Sequence, residues 1–188
     1  MKKIMFDDKF QLTKDVLEGR KTMTRRAVSA RIHKKAGLYR QEYFDETLDA
    51  LFVEDSLLTF SPFKPDEVVA VSQPYKDVIY TGGLPHPLVA KPGWTNKMFV
   101  LPGLMPHCIR ITNVRVERLQ DISDEDCLRE GIVKVQWMYG CEGLCERGDQ
   151  LYFGSPRSAF AALIDKISGK GTWNRNPYAF AYTFKLED

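Results

Sequence analysis

Cys108-Ile-Arg-Ile-Thr-Asn-Val-Arg-Val-Glu-Arg-Leu119 runs directly into Gln120-Asp-Ile-Ser-Asp-Glu-Asp-Cys-Leu-Arg-Glu-Gly131. The first twelve residues alternate as a strand does, with Ile109 and Ile111 on one face, and then Val114 and Val116 after a change of parity near Thr112-Asn113. A bulge there would return all four apolar side chains to one side. The second twelve carry a full helix start. Ser123 is the expected N-cap, Asp126 the third helical residue in the manner of a capping box, and Ile122 a staple for Cys127. Gly131 ends that helix, which leaves Glu130 in its last turn, where a carboxylate opposes the helix dipole unless a cation stands beside it.

Working outward, the closing stretch Ala179 to Leu186 alternates strictly and predicts a strand presenting Phe180, Tyr182, Phe184 and Leu186. Ser155-Pro156 opens a second helix with a buried stripe of Phe160, Leu163, Ile164 and Ile167, closed by Gly169. Asp8 to Glu18 reads as a short helix with Phe10, Leu12, Val16 and Leu17 inward and Gly19 as its left-handed cap. Thr22–Val28 and Val68–Val71 read as extended. The pattern predicts an α+β fold in one domain over 1–188, with insertions at about 29–65 and 74–106. The first insertion includes an amphipathic segment from Tyr39 to Leu51, with Tyr43, Phe44, Leu48 and Leu51 as core cover. The second is a long Pro/Gly-rich loop containing Gly82-Gly83, and loops of that length are commonly functional or disordered.

Charge is unevenly distributed. From Gly19 to Gln41 there are eight Lys or Arg residues and no acid, in a chain whose formal net charge is only +2. Gly19-Arg-Lys-Thr-Met-Thr-Arg-Arg26 is the densest part, and it is expected to face outward into a cleft that attracts phosphate or another anion. The plainer reading is a solvated charge run.

No apolar run approaches the roughly 18 residues that cross a bilayer, and acids arrive too early for a signal peptide, so a cytoplasmic protein without a membrane partner is expected. Four cysteines are too few for a disulfide framework. Cys141 and Cys145 form one close pair, Cys127 and Cys108 read as small hydrophobes, and no metal or other cofactor is expected. His33, His86 and His107 stand apart and read as surface residues. Phosphate-loop, paired-histidine metal and nucleophile-elbow motifs are absent.

Several blocks together resemble the ASCH family of PUA-like domains, particularly its phage and prophage members. They are Gly19-x-Lys21-x-x-x-x-Arg26, Phe63-Lys-Pro-Asp66, Arg110 to Leu119 with Asp121 to Asp126 and Glu130-Gly131, and Trp173-x-x-Asn176-Pro177. The resemblance implies a small, strongly bent β-barrel flanked by helices, with a cleft for RNA or a modified nucleoside. Two positions depart from the family's pattern: Thr24 stands where the broader family has a glutamate, and Val71-Ser-Gln-Pro-Tyr75 replaces a charged segment. With its threonine, the basic motif is similar to that of bacterial amidohydrolases of this fold that remove the acyl group of N4-acetylcytidine. Carried over, their catalytic residues are Lys21, Thr24 and Glu130.

The chemistry of that trio is coherent on its own terms. A threonine hydroxyl attacks only when a base takes its proton, and a lysine is a base only where burial or neighbouring cations lower its pKa. Arg20, Arg25 and Arg26 are such neighbours; Glu130 would hold the lysine in position or shuttle a proton to the leaving amine, and Lys21 or Arg26 would relieve its helix-end placement. The bland alternative is an ion pair tying helix to sheet. The expected function is therefore RNA or modified-nucleoside binding, with Arg20, Lys21, Arg25 and Arg26 as contacts and Tyr75 and Trp94 as stacking or core aromatics. The alternative is an amidohydrolase acting on the N4 amine of cytidine.

Overall fold

The computed structural model describes residues 1–37, 50–79, 86–144 and 152–187. Its strands are β1 (Lys2–Ile4), β2 (Met23–Ala27), β3 (Val68–Val71), β4 (Cys108–Arg118), β5 (Val133–Val135), β6 (Met138–Gly140) and β7 (Tyr178–Glu187). Its helices are α1 (Leu12–Leu17), α2 (Ala30–Lys35), α3 (Ala50–Thr59), α4 (Tyr75–Val78), α5 (Asp124–Arg129), α6 (Pro156–Ser168) and α7 (Thr172–Arg175). The expected stripe at Tyr43, Phe44 and Leu48 and the glycine pair Gly82-Gly83 lie outside the described residues.

Five strands form one sheet in the order β1-β3-β4-β7-β2, and β5 pairs with β6 as a separate hairpin. Only β1 with β3 is parallel. The expected small, bent β-barrel flanked by helices is met in part: helices accompany a five-stranded sheet, but among the described residues β1 and β2 lie at opposite margins of that sheet, which is open. The β4–β7 ladder is its spine. Its register steps from Ile111 opposite Phe184 to Asn113 opposite Thr183, which leaves Thr112 as the extra residue. That bulge does what the change of parity demands, because Ile109, Ile111, Val114 and Val116 are all buried.

The main core joins this sheet to α6 through Ala159, Phe160, Leu163 and Ile164, and to α3 through Val53 and Leu57. Part of the first expected insertion is thus built into the core itself. The second carries a smaller cluster of its own, in which Tyr75, Val100 and Met105 pack with Ala70, and Trp94 joins from the edge. Gly93 is required there, since a Cβ at that position would stand 2.6 Å from Tyr75 Cε2.

Candidate functional site

The site begins at the end of α1. Gly19 takes φ +73°, and Lys21 N–H then donates to the Asp15 carbonyl at 2.9 Å. This turn points the chain back into β2, with Thr22 N–H donating to the Arg129 carbonyl at the end of α5 (3.0 Å). The basic octad is thereby laid against the C-terminus of a helix. Its outward-facing reading is corrected by burial: Lys21 is 2% exposed, Arg25 4% and Thr24 5%.

Lys21 Nζ donates to Glu130 Oε2 at 2.7 Å and to the Glu130 carbonyl at 2.6 Å. One ammonium therefore answers both the carboxylate and the helix-end carbonyl, which relieves the unfavourable placement of Glu130. Burial lowers the pKa of Lys21 despite the opposing pull of Glu130. Arg25 Nη1 donates to Glu130 Oε1 at 3.2 Å. Its other nitrogens reach Glu117 Oε1 (2.7 Å from Nε) and Asp126 Oδ2 (2.8 Å from Nη2). Burial works against its charge, but Glu130, Glu117 and Asp126 together raise the Arg25 pKa.

Strand register explains how Arg25 reaches so far. Arg25, Ala181 and Arg115 stand in one row across the sheet, with Ala27, Ala179 and Glu117 in the next row on that face. The small alanines of β7 leave space for the guanidinium to cross to β4, and Asp126 on α5 meets it there. The capping box is half made: Ser123 Oγ accepts from Asp126 N–H at 3.1 Å, while the Asp126 carboxylate turns to Arg25 and Arg115. Asp126 and Glu117 are the supporting residues that the sequence did not reveal. Position alone marks Asp126 as a cap and Glu117 as a strand residue.

Thr24 and Arg26 project from the opposite face of β2, in rows with Tyr182 and Phe180. They open into a cavity of about 330 Å³ whose lining includes Lys21, Thr24, Arg25, Arg26 and Glu130. Phe160, Leu163, Ile164 and Ile167 of α6 give it an apolar wall, Met5, Phe6, Asp7 and Leu12 flank it, and Ser168 completes the margin. This volume is at the small end of ligand sites. The α6 stripe therefore serves both as core and as wall. Among the described residues the Thr24 hydroxyl makes no hydrogen bond, although its residue is buried.

The remaining candidates lie apart from this cavity. Arg20 pairs with Asp15 and Glu18 at the surface. Tyr75 is 2% exposed and its hydroxyl accepts from Leu101 N–H at 2.7 Å, so it is core. Trp94 packs beside it. Neither aromatic lines the cavity. Burial pushes the thiols of Cys127 and Cys141 up to about 12, so neither is a thiolate nucleophile at neutral pH. Among the described residues no group of three or more His, Cys, Asp or Glu side chains is arranged to hold a metal ion; Cys145 lies outside them. Likewise, none of the described helices is long and apolar enough to cross a membrane.

Comparison with known proteins returns no matching family model, no matching curated protein and no matching solved structure.

Proposed function

We propose that this cavity binds a single modified nucleoside and hydrolyses an acyl amide on the N4 amine of cytidine, in an ASCH-like, PUA-related setting. The observation that carries the reading is the buried Lys21–Glu130 pair at 2.7 Å in the same cavity as the unbonded Thr24 hydroxyl. A lysine kept from water and held by one carboxylate is suited to act as a base, and a hydroxyl that opens into the same cavity and bonds to none of the described residues is suited to lose its proton to it.

In this reaction the neutral Lys21 amine takes the Thr24 proton as Oγ1 bonds to the acyl carbon. The acyl carbon–N4 bond then breaks, and the departing amine recovers that proton from Lys21. Water then gives a proton to the neutral Lys21 amine as its oxygen bonds to the acyl carbon, the bond from that carbon to Oγ1 breaks, and Lys21 returns the proton to Oγ1, which leaves the carboxylic acid and free Thr24. Glu130 keeps Lys21 in place throughout, and Arg25 keeps Glu130. Binding of an RNA strand along an outward basic face has less support, because Arg20 and Arg25 are engaged by carboxylates and Lys21 and Thr24 are buried.

The test is release of acetate from N4-acetylcytidine. The parent chain should turn it over, Lys21→Ala and Thr24→Val should lose at least about a thousandfold in kcat/KM, and Thr24→Ser should keep part of the activity. Saturable nucleoside binding without acetate release would leave a binding protein, with the trio as ligand contacts.

A further inference from the structure

We propose that Arg26 is the anion-recognising residue of this cavity, and that the substrate carries an oxyanion, a nucleotide phosphate or a carboxylate on its acyl group, rather than being a neutral nucleoside. The inference rests on the nucleoside reading above and deepens it.

The argument starts from how the cations of the octad are used. Arg20, Lys21 and Arg25 each have carboxylate partners. Arg26 differs: among the described residues it bonds to no carboxylate, and its Nη2 donates to the Met5 carbonyl. Its guanidinium carbon lies 5.8 Å from the centroid of the Phe6 ring, and both residues line the cavity. A guanidinium has five N–H donors, so among the described residues most of its capacity is unspent. Asp7, the second acid on the lining, serves as a cap, with Oδ1 accepting from Lys9 N–H at 2.9 Å. Lys21 and Glu130 offset each other, and the charge of Arg25 is met by Glu117 and Asp126. The charge left for a ligand is that of Arg26.

Burial lowers the Arg26 pKa, with Glu130 and Tyr182 acting against the shift, so its cation stands to gain from an incoming anion. The strand fixes where that anion sits. Thr24 and Arg26 are two residues apart on one face of β2, about 7 Å between Cα atoms. An oxyanion held by Arg26 therefore belongs to the same bound molecule as the scissile amide, on its acyl group or on its sugar, and a guanidinium can hold phosphate or carboxylate in a two-pronged manner.

The experiment compares kcat/KM for neutral N4-acetylcytidine, for N4-acetylcytidine 5′-monophosphate and for N4-succinylcytidine. One of the two anionic substrates should be preferred roughly ten- to a hundredfold, the range of a charge-assisted pair. Arg26→Gln should bring that ratio close to one, and Arg26→Lys should leave it between. Equal use of all three substrates by the parent chain, or a loss in Arg26→Gln that is the same for neutral and anionic substrates, would overturn the proposal. If no substrate is turned over, the hydrolase reading fails separately. Thermal stabilisation by cytidine monophosphate or by succinate over cytidine, lost in Arg26→Gln, would then uphold the Arg26 assignment, and its absence would remove it.

Discussion

Glu130 occupies a position its own helix repels, and it is retained by Lys21 on one oxygen and Arg25 on the other. Removing one partner strands the other charge in the interior. Lys21→Met is therefore expected to cost about 3–5 kcal/mol in urea unfolding, and the double change with Glu130→Leu should recover most of it. A single variant within 1 kcal/mol or so of the parent would contradict this. The pH dependence has a definite sign. Burial holds the Lys21 amine below its ordinary 10.5 against the pull of Glu130, so a rate that needs the neutral amine should climb with pH through that depressed value and then level. In the same window the unfolded chain binds the proton more firmly than the folded one, so this group's contribution to stability also rises with pH. Asp126 behaves in the opposite sense. Burial acts to raise its pKa, but Arg25 and Arg115 outweigh burial and hold it below 3.8. Its contribution is complete above that value and is lost as pH falls through the depressed one. Asp126→Asn should flatten the acid limb of a stability–pH curve, and an unchanged limb would show that the carboxylate is not held in this way.

Helix α5 tests how far local rules reach. Its Ser123 cap was legible because capping depends on three consecutive backbone groups, and Ser123→Ala should cost about 1 kcal/mol. Its stop at Gly131 was legible too, since φ there is +104°. Gly131→Ala places a Cβ 3.0 Å from Leu12 Cδ2 in a strained conformation, with an expected loss of about 1–3 kcal/mol read from the shift in urea midpoint. The bulge at Thr112 followed from the parity of four apolar residues. What the sequence withheld is what depends on neighbours across the sheet: Arg25 crosses to Glu117 over Ala179 and Ala181, residues more than 150 positions further along the chain. The stripe of α6 was read as core because periodicity reports which face turns inward, without distinguishing packed interior from cavity wall. Helix α2 sets the limit of the RNA expectation. Its Arg31, Lys34 and Lys35 are exposed and lie off the cavity lining, so salt-dependent RNA affinity, where measured, should fall with Lys34→Ala and Lys35→Ala. A salt slope that those two changes leave unaltered would move the contact elsewhere.

For the whole molecule, strand order matters more than strand count. The sheet is open, and its β2 margin carries Thr24, Arg25 and Arg26, all of which line the cavity. Among the described residues β2 has one strand neighbour, β7, formed by Tyr178–Glu187. The consequence belongs to biosynthesis. As the chain leaves the ribosome, β1, β3 and β4 can pair while β7 is still unmade, but β2 must wait for it through the long interval in which the basic octad, α1 and α5 have already emerged. The cavity is consequently assembled last, by the closing strand, and ligand capture cannot precede completion of that strand. Nascent chains arrested before Tyr178 should show no ligand-dependent protease protection at residues 21–26, whereas chains tethered to the ribosome through an unstructured extension added after Asp188 should show it in full.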